Sequence, residues 1–200
     1  MLVLAWVLLL MGEYRTIVAD PPWEYEGFAS DPTSGRGLPE TQRRPPQIEA
    51  LPYQAMSLGE LAEIPMSTWT HPDGCRLFCW ATNRYLLDAG ELLKAWGFRY
   101  VQALVWRKTG NPSPFGGSVA PNHGEFLLIG ITGKIPVSSR IASSVIEAPA
   151  QRQHSRKPEA FLDLVESISP GPYLELFARR NRLGWDTWGN ESLHHVELST

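Results

Sequence analysis

Strand-like and helix-like segments alternate along most of this chain, and that alternation limits the fold more than any other feature of the sequence. The β-branched run Arg15-Thr16-Ile17-Val18-Ala19 stops at Asp20-Pro21-Pro22-Trp23, where two consecutive prolines cannot continue a hydrogen-bonded ladder. Ser57 stands as the N-cap of a short helix over residues 57–64, with Glu60 at the capping-box position, and residues 77–80 read as a second buried strand. Asn83 then caps a helix over residues 84–96, in which Leu86, Leu87, Ala89, Leu92, Leu93 and Trp96 recur at helical spacing before Gly97 ends it. Residues 100–106, 126–131 and 144–147 read as further strands. Pro158 opens a helix over residues 159–168, and Ser169-Pro170-Gly171-Pro172 turns the chain into a strand over residues 173–178. The series predicts an α/β fold built on a mostly parallel, doubly wound sheet, in a single domain covering residues 1–200.

Three irregular stretches interrupt that pattern. Residues 24–52 are rich in Gly, Pro, Ser, Thr and Arg, residues 108–124 lack periodicity, and so do residues 133–157 around the strand at 144–147. Loops that leave strand ends often carry function, so 24–52 and 108–124 are expected to border a site. The apolar opening, residues 1–11, has no basic leader, no small-residue cleavage site and about half the length of a membrane span. It reads as a buried element or a misassigned start, and no membrane association is expected.

A formal net charge of −3 does not suit a protein that holds a polyanion by bulk attraction. Local basic clusters lie at Arg43 and Arg44, at Arg152, Arg156 and Lys157, and at Arg179, Arg180 and Arg182; on charge alone these read as solvated faces. The two cysteines, Cys75 and Cys79, match neither a disulfide framework nor a four-ligand zinc site. They read as reduced and buried, which points to a cytoplasmic setting. No metal site is expected.

Ligands of open α/β sheets bind beyond the carboxyl ends of the strands, and Asp20-Pro21-Pro22-Trp23 falls at such an end. The alternative for this tetrapeptide is a Pro-Pro turn with a core tryptophan. The chemistry that suits the corner is methylation of an aryl amine, a poor nucleophile because its lone pair is delocalised into the ring. The Asp20 carboxylate and a backbone carbonyl such as that of Pro21 can accept both amine hydrogens and favour a geometry that frees the lone pair. Pro21 and Pro22 stiffen the turn and remove competing N–H donors. Trp23 and Tyr53 are the aromatics expected to stack on an extracted base. His123 and His154 read as loop or hydrogen-bonded histidines. Glu175 reads equally as a ribose-hydroxyl acceptor at a strand end and as an ordinary glutamate. No Gly-x-Gly-x-x-Gly run is present, which excludes an ordinary dinucleotide site.

Asp20-Pro21-Pro22-Trp23 resembles the catalytic motif of the MT-A70 family of adenine-N6 methyltransferases. Leu51-Pro52-Tyr53, Met56-Ser57, Leu77-Phe78-Cys79-Trp80-Ala81-Thr82-Asn83, Ala95-Trp96-Gly97-Phe98 and Leu104-Val105-Trp106-Arg107-Lys108 are similar to that family in order and spacing. So are His154-Ser155-Arg156-Lys157-Pro158, Glu175-Leu176-Phe177-Ala178-Arg179 and Trp185-Asp186-Thr187-Trp188-Gly189-Asn190-Glu191, and the likeness runs over about residues 14–191. It implies a Rossmann-like class I methyltransferase fold whose catalytic motif precedes the cofactor strand, with S-adenosylmethionine as methyl donor. It further implies that Lys157 contacts the donor's methionine carboxylate, and that Arg179, Asn181 or Arg182, Asn190 and Glu191 surround its ribose and tail. Asp20, Glu175 and Phe177 fall on the same cofactor side. The expected partner is a nucleic acid, DNA being slightly favoured because no RNA-binding domain is appended and RNA remaining the alternative, with a partner subunit or a homodimer as further options. A catalytically silent, nucleic-acid-binding relative is the competing reading, and a Trp-rich structural domain the third.

Overall fold

A computed structural model describes residues 13–24, 55–110, 119–150 and 157–189. Residues 1–11 and the stretch 25–54 lie outside the described residues, as do 111–118 within the second irregular stretch. In chain order the elements are β1 (Thr16–Ala19), α1 (Leu58–Ala62), α2 (Met66–Trp69), β2 (Gly74–Thr82), a 3-10 turn (Asn83–Tyr85), α3 (Leu86–Ala95), β3 (Arg99–Thr109), β4 (Gly124–Gly133), β5 (Val145–Pro149), α4 (Ala160–Ile168), β6 (Tyr173–Leu176) and β7 (Trp185–Trp188). The strands form one seven-stranded sheet in the order β5-β3-β4-β2-β1-β6-β7.

Alternation along each strand divides the core into two layers. Ile17 and Ala19 of β1, Leu77 and Cys79 of β2, and Leu174 and Leu176 of β6 face the layer that α1, α2 and α3 cover with Leu61, Met66, Leu92, Leu93 and Trp96. Val18, Phe78, Trp80, Leu104, Trp106 and Leu127 face the other, covered by Phe161, Leu162, Val165 and Ile168 of α4. Helices therefore pack on both faces, as the doubly wound pattern requires. β2 is buried along almost its whole length, so it reads as a continuous apolar run rather than an alternation. Cys75 and Cys79 are free and buried, and burial pushes the Cys75 thiol up to about 12.

β1 pairs in parallel with β2 and β6, β3 with β5, and β6 with β7. β4 departs from that direction and runs antiparallel to both of its neighbours, β2 and β3. The expected unit of strand, helix and strand over β2, α3 and β3 is therefore split: its two strands point the same way, with β4 between them.

Two local expectations are corrected. Asn83 does not cap a helix, because β2 runs to Thr82 and the chain reverses through the tighter 3-10 turn before α3 begins at Leu86. Leu87 is off the buried stripe and 83% exposed. The capping box of α1 is present, with Ser57 Oγ accepting from the Glu60 N–H and Glu60 Oε2 accepting from the Ser57 N–H. Gly97 closes α3 at φ 80°, a left-handed conformation that favours glycine. The last predicted strand ends two residues early, at Leu176, because Phe177 turns to φ 61°.

At the opposite edge from these strand ends, Arg76 is buried at the start of β2 and donates to the carbonyls of Ile168, at 2.9 Å, and Pro136, at 3.0 Å. A cation on the final carbonyl of a helix also meets the negative end of its dipole, so Arg76 anchors α4 to the sheet.

Candidate functional site

The carboxyl ends of the parallel strands gather four charged side chains on the α4 face. Asp20 follows β1 and Lys108 lies near the end of β3. Glu125 is the second residue of β4, opposite Thr82 and Trp106. Because β4 is antiparallel, its beginning rather than its end reaches this edge. Lys157 enters from the segment that leads into α4. Its ammonium donates to both carboxylate oxygens of Asp20 at 2.8 Å and lies 3.3 Å from Glu125 Oε2. Glu125 is also paired with Lys108.

This line of alternating charge is shielded from water. The side chains of Lys157, Glu125 and Asp20 are 13%, 13% and 17% exposed. Lys157 Nζ sits 5.3 Å from the centre of the Trp80 ring and Lys108 Nζ 4.8 Å from that of Trp106, so both ammonium groups also face aromatic π-density. Burial alone would depress the Lys157 ammonium, but attraction by Asp20 and Glu125 outweighs it and holds the group above the ordinary lysine range; Arg179 acts in the opposite sense. Burial would raise Glu125, yet Lys157 and Lys108 hold its carboxyl below the usual range.

The turn after Asp20 is tightly closed. The Pro21 carbonyl accepts the Trp23 N–H at 2.9 Å and the Pro22 carbonyl accepts the Met56 N–H at 2.9 Å. One lone pair of the Pro21 oxygen remains for a further donor. Trp23 is 4% exposed; its indole N–H donates to the Trp80 carbonyl at 3.2 Å, and its ring stacks on Tyr85 with centroids 5.0 Å apart. One ring face and the polar edge of Trp23 are thus engaged by the protein.

Glu175, on β6 opposite Val18, comes to the same edge beside Asp20. Its Oε2 is buried with no hydrogen-bond partner among the described residues. Burial raises the carboxyl to about 7, with Arg180 opposing and Asp20 and Glu159 reinforcing the rise. Phe177 packs edge-on against Trp188 at 5.5 Å. A Cβ on Gly189 would fall 2.5 Å from the Ala178 backbone nitrogen, so only glycine lets the end of β7 close on this turn. Asn181 accepts from the Thr187 hydroxyl at 3.3 Å. Arg179 is near enough to Lys157 to act on its charge.

The Arg182 guanidinium donates to Glu166 at 2.9 and 2.8 Å and to Asp163 at 2.6 Å, both on α4. Tyr53, Asn190 and Glu191 lie outside the described residues. The sequence reading missed Glu125 and Lys108. The available signal was a carboxylate entering a strand directly after the irregular stretch 108–124.

The folded carboxyl of Glu175 binds its proton more tightly than an unfolded one, so it lowers stability as pH rises from the ordinary glutamate range through about 7. Glu175→Gln is expected to be more stable than the parent by on the order of 2 kcal/mol at about pH 8 and nearly equal to it at about pH 4. Thermal melts across that range check the prediction.

A sheet with helices on both faces and a buried charged cluster at its carboxyl edge is the α/β arrangement of a class I methyltransferase, the class of the family matched here. The model of the MT-A70 family matches residues 14–191, and the chain belongs to that family. It is a family of S-adenosylmethionine-dependent adenine-N6 methyltransferases, and the chain is an enzyme of that class. A relative named type II methyltransferase M.MunI, from Mycoplasma sp., is 34% identical over 187 residues, covering 90% of this chain and 78% of the relative. The N(6)-adenosine-methyltransferase catalytic subunit METTL3 of Homo sapiens is 26% identical over 190 residues, 91% of this chain but only 29% of that protein. The N(6)-adenosine-methyltransferase MT-A70-like protein of Arabidopsis thaliana is 29% identical over 197 residues, 94% of this chain and 25% of its own length. Among the described residues, no helix is long and apolar enough to cross a membrane.

The residues present fit the methyl donor that the family implies. The unpartnered, buried Oε2 of Glu175 can accept from a hydroxyl or ammonium group, and Lys157 and Arg179 supply cations for a carboxylate.

Proposed function

We propose that this chain transfers the methyl group of S-adenosylmethionine to the N6 amine of adenine in DNA. The observation that carries the reading is the Asp20 carboxylate, fixed at the end of β1 by two prolines and by Lys157 on both oxygens. Asp20 accepts one hydrogen of the amine and the second lone pair of the Pro21 carbonyl accepts the other, which turns the nitrogen lone pair out of conjugation. When bound, the donor supplies an electrophilic methyl on a sulfonium. Lys157 and Arg179 would hold its carboxylate end and Glu175 would accept from a hydroxyl or ammonium group; Phe177 and Asn181, with Asn190 and Glu191, would border it. Tyr53 stacks on the extracted base. After transfer the nitrogen is strongly acidic, and its proton passes to an Asp20 oxygen or to water.

DNA is favoured by the type II methyltransferase relative, which matches over most of both chains, whereas the adenosine methyltransferases match only over a small part of their length. The test is incubation with isotopically labelled donor and defined DNA and RNA oligonucleotides, followed by mass spectrometry of the nucleosides. Labelled N6-methyldeoxyadenosine is the expected product. Label confined to RNA overturns the DNA assignment. Absence of label from both, with no calorimetric binding of the donor, leaves a silent relative.

A further inference from the structure

A hollow of about 290 Å³ opens beside Trp23, three residues beyond Asp20, and takes no part in the chemistry described above. It is lined by the stacked pair Trp23 and Tyr85, by Met56 and Leu58, by Arg84, and by the acidic residues Glu24 and Asp88. We propose that it binds a nucleobase adjacent to the target adenine, and so reads sequence context for the reaction; this rests on the function proposed above.

Position, shape and chemistry each support that occupant. Trp23 lies three residues beyond Asp20, but it packs with Met56 and Tyr85 on the layer covered by α3, whereas Lys157 and Asp20 meet on the α4 face. A group in the hollow is therefore kept apart from the reacting amine by the turn that carries Asp20, as a base other than the target must be. The volume lies just below the usual range for small-molecule sites, which suits one planar base. Aromatic and apolar walls favour a base over a bare phosphate. Arg84 brings donors and Asp88 brings acceptors, the pair needed to read an edge that carries both an oxygen and an amine.

The walls are held before any ligand arrives. Trp23 and Tyr85 stack nearly parallel, at 8°, the Tyr85 hydroxyl donates to the Glu24 carbonyl, and the Arg84 guanidinium sits 5.7 Å from the Tyr85 ring centre. The 3-10 turn at Asn83–Tyr85 is what delivers both side chains. A regular helix from residue 84 would direct them elsewhere.

Two variants test the assignment without touching the Asp20 cluster. Leu58, the first residue of α1 and 38% exposed, is replaced in Leu58→Trp to fill the hollow from the surface; Arg84→Ala removes the donor. Substrates are DNA oligonucleotides, and matching RNA, carrying each base or an abasic residue on either side of the target adenine. Two readouts are used: kcat/KM for methyl incorporation, and fluorescence anisotropy of oligonucleotide binding without donor. For the wild-type protein, an abasic residue on one side is expected to cost about tenfold in both. Leu58→Trp should lose about as much on the intact substrate and no longer distinguish it from the abasic one, and Arg84→Ala should flatten the preference among bases. Variants that keep wild-type values and preferences overturn the inference alone. A wild-type protein that methylates neither DNA nor RNA overturns the proposed function and this inference with it.

Discussion

Asp20→Asn is expected to lower kcat for methyl transfer by about a thousandfold, the scale seen when a preorganised polar group at a reacting centre is removed. The substitution preserves size and leaves one carbonyl oxygen as acceptor. It removes the negative charge and replaces the second acceptor with an N–H₂ donor, which opposes an amine hydrogen instead of binding it. Lys157 keeps Glu125 at 3.3 Å, so the variant should fold and hold the donor with affinity close to that of the parent. The loss should therefore appear in kcat, with KM for the oligonucleotide little changed, which marks an interaction made chiefly in the transition state. Single-turnover methyl transfer with saturating donor is the measurement. An Asp20→Asn variant that retains a tenth of the parent rate would remove the carboxylate from the mechanism.

Parts of this site were legible in the sequence because local chemistry alone decides them. Two prolines after a β-branched run must end a strand, and the end of β1 falls where that argument puts it, with Asp20 as the first residue beyond. Ser57 and Glu60 form their capping box for equally local reasons. Strand direction is different. An alternating apolar pattern is the same read forwards or backwards, so nothing in residues 126–131 announced that β4 runs antiparallel. That one unknown hid Glu125: at the start of a parallel strand it would have been delivered to the far edge of the sheet.

Short elements and partner choice were the other gaps. β7 spans four residues and α2 another four, too few for a period to register. The basic run at residues 179–182 looked uniform, but the fold divides it. Arg179 lies toward Lys157, Arg180 binds Glu159 at 3.1 Å, and Arg182 is committed to α4. Which arginine meets which carboxylate depends on where α4 crosses the sheet, a tertiary fact that spacing does not contain. Trp23 was ambiguous for a related reason: an aromatic next to a reactive corner can serve a ligand, the core or both, and its stack on Tyr85 is a tertiary fact that spacing does not contain.

The expected result for Lys157→Met is a loss of on the order of 3 kcal/mol of folding stability at neutral pH, because it leaves Asp20 and Glu125 as largely buried carboxylates without their shared cation. Methionine fills the space over Trp80, so lost packing contributes little and the effect is electrostatic. Glu125 retains Lys108 as a partner, which leaves the main cost on Asp20. Two consequences separate this account from a simple cavity. The deficit should shrink at low pH, where the buried Glu125 carboxyl, no longer held down by Lys157, takes up a proton and needs no counter-charge. The double variant Lys157→Met, Glu125→Gln should recover part of it, since one buried charge is then gone. Urea denaturation of the parent, the two single variants and the double variant at about pH 7 and about pH 4.5 measures both effects. A deficit that is equal at the two pH values and additive in the double variant would mean that Lys157 stabilises the fold through contact rather than charge. The alternating line from Asp20 to Lys108 would then have no electrostatic role in holding the corner.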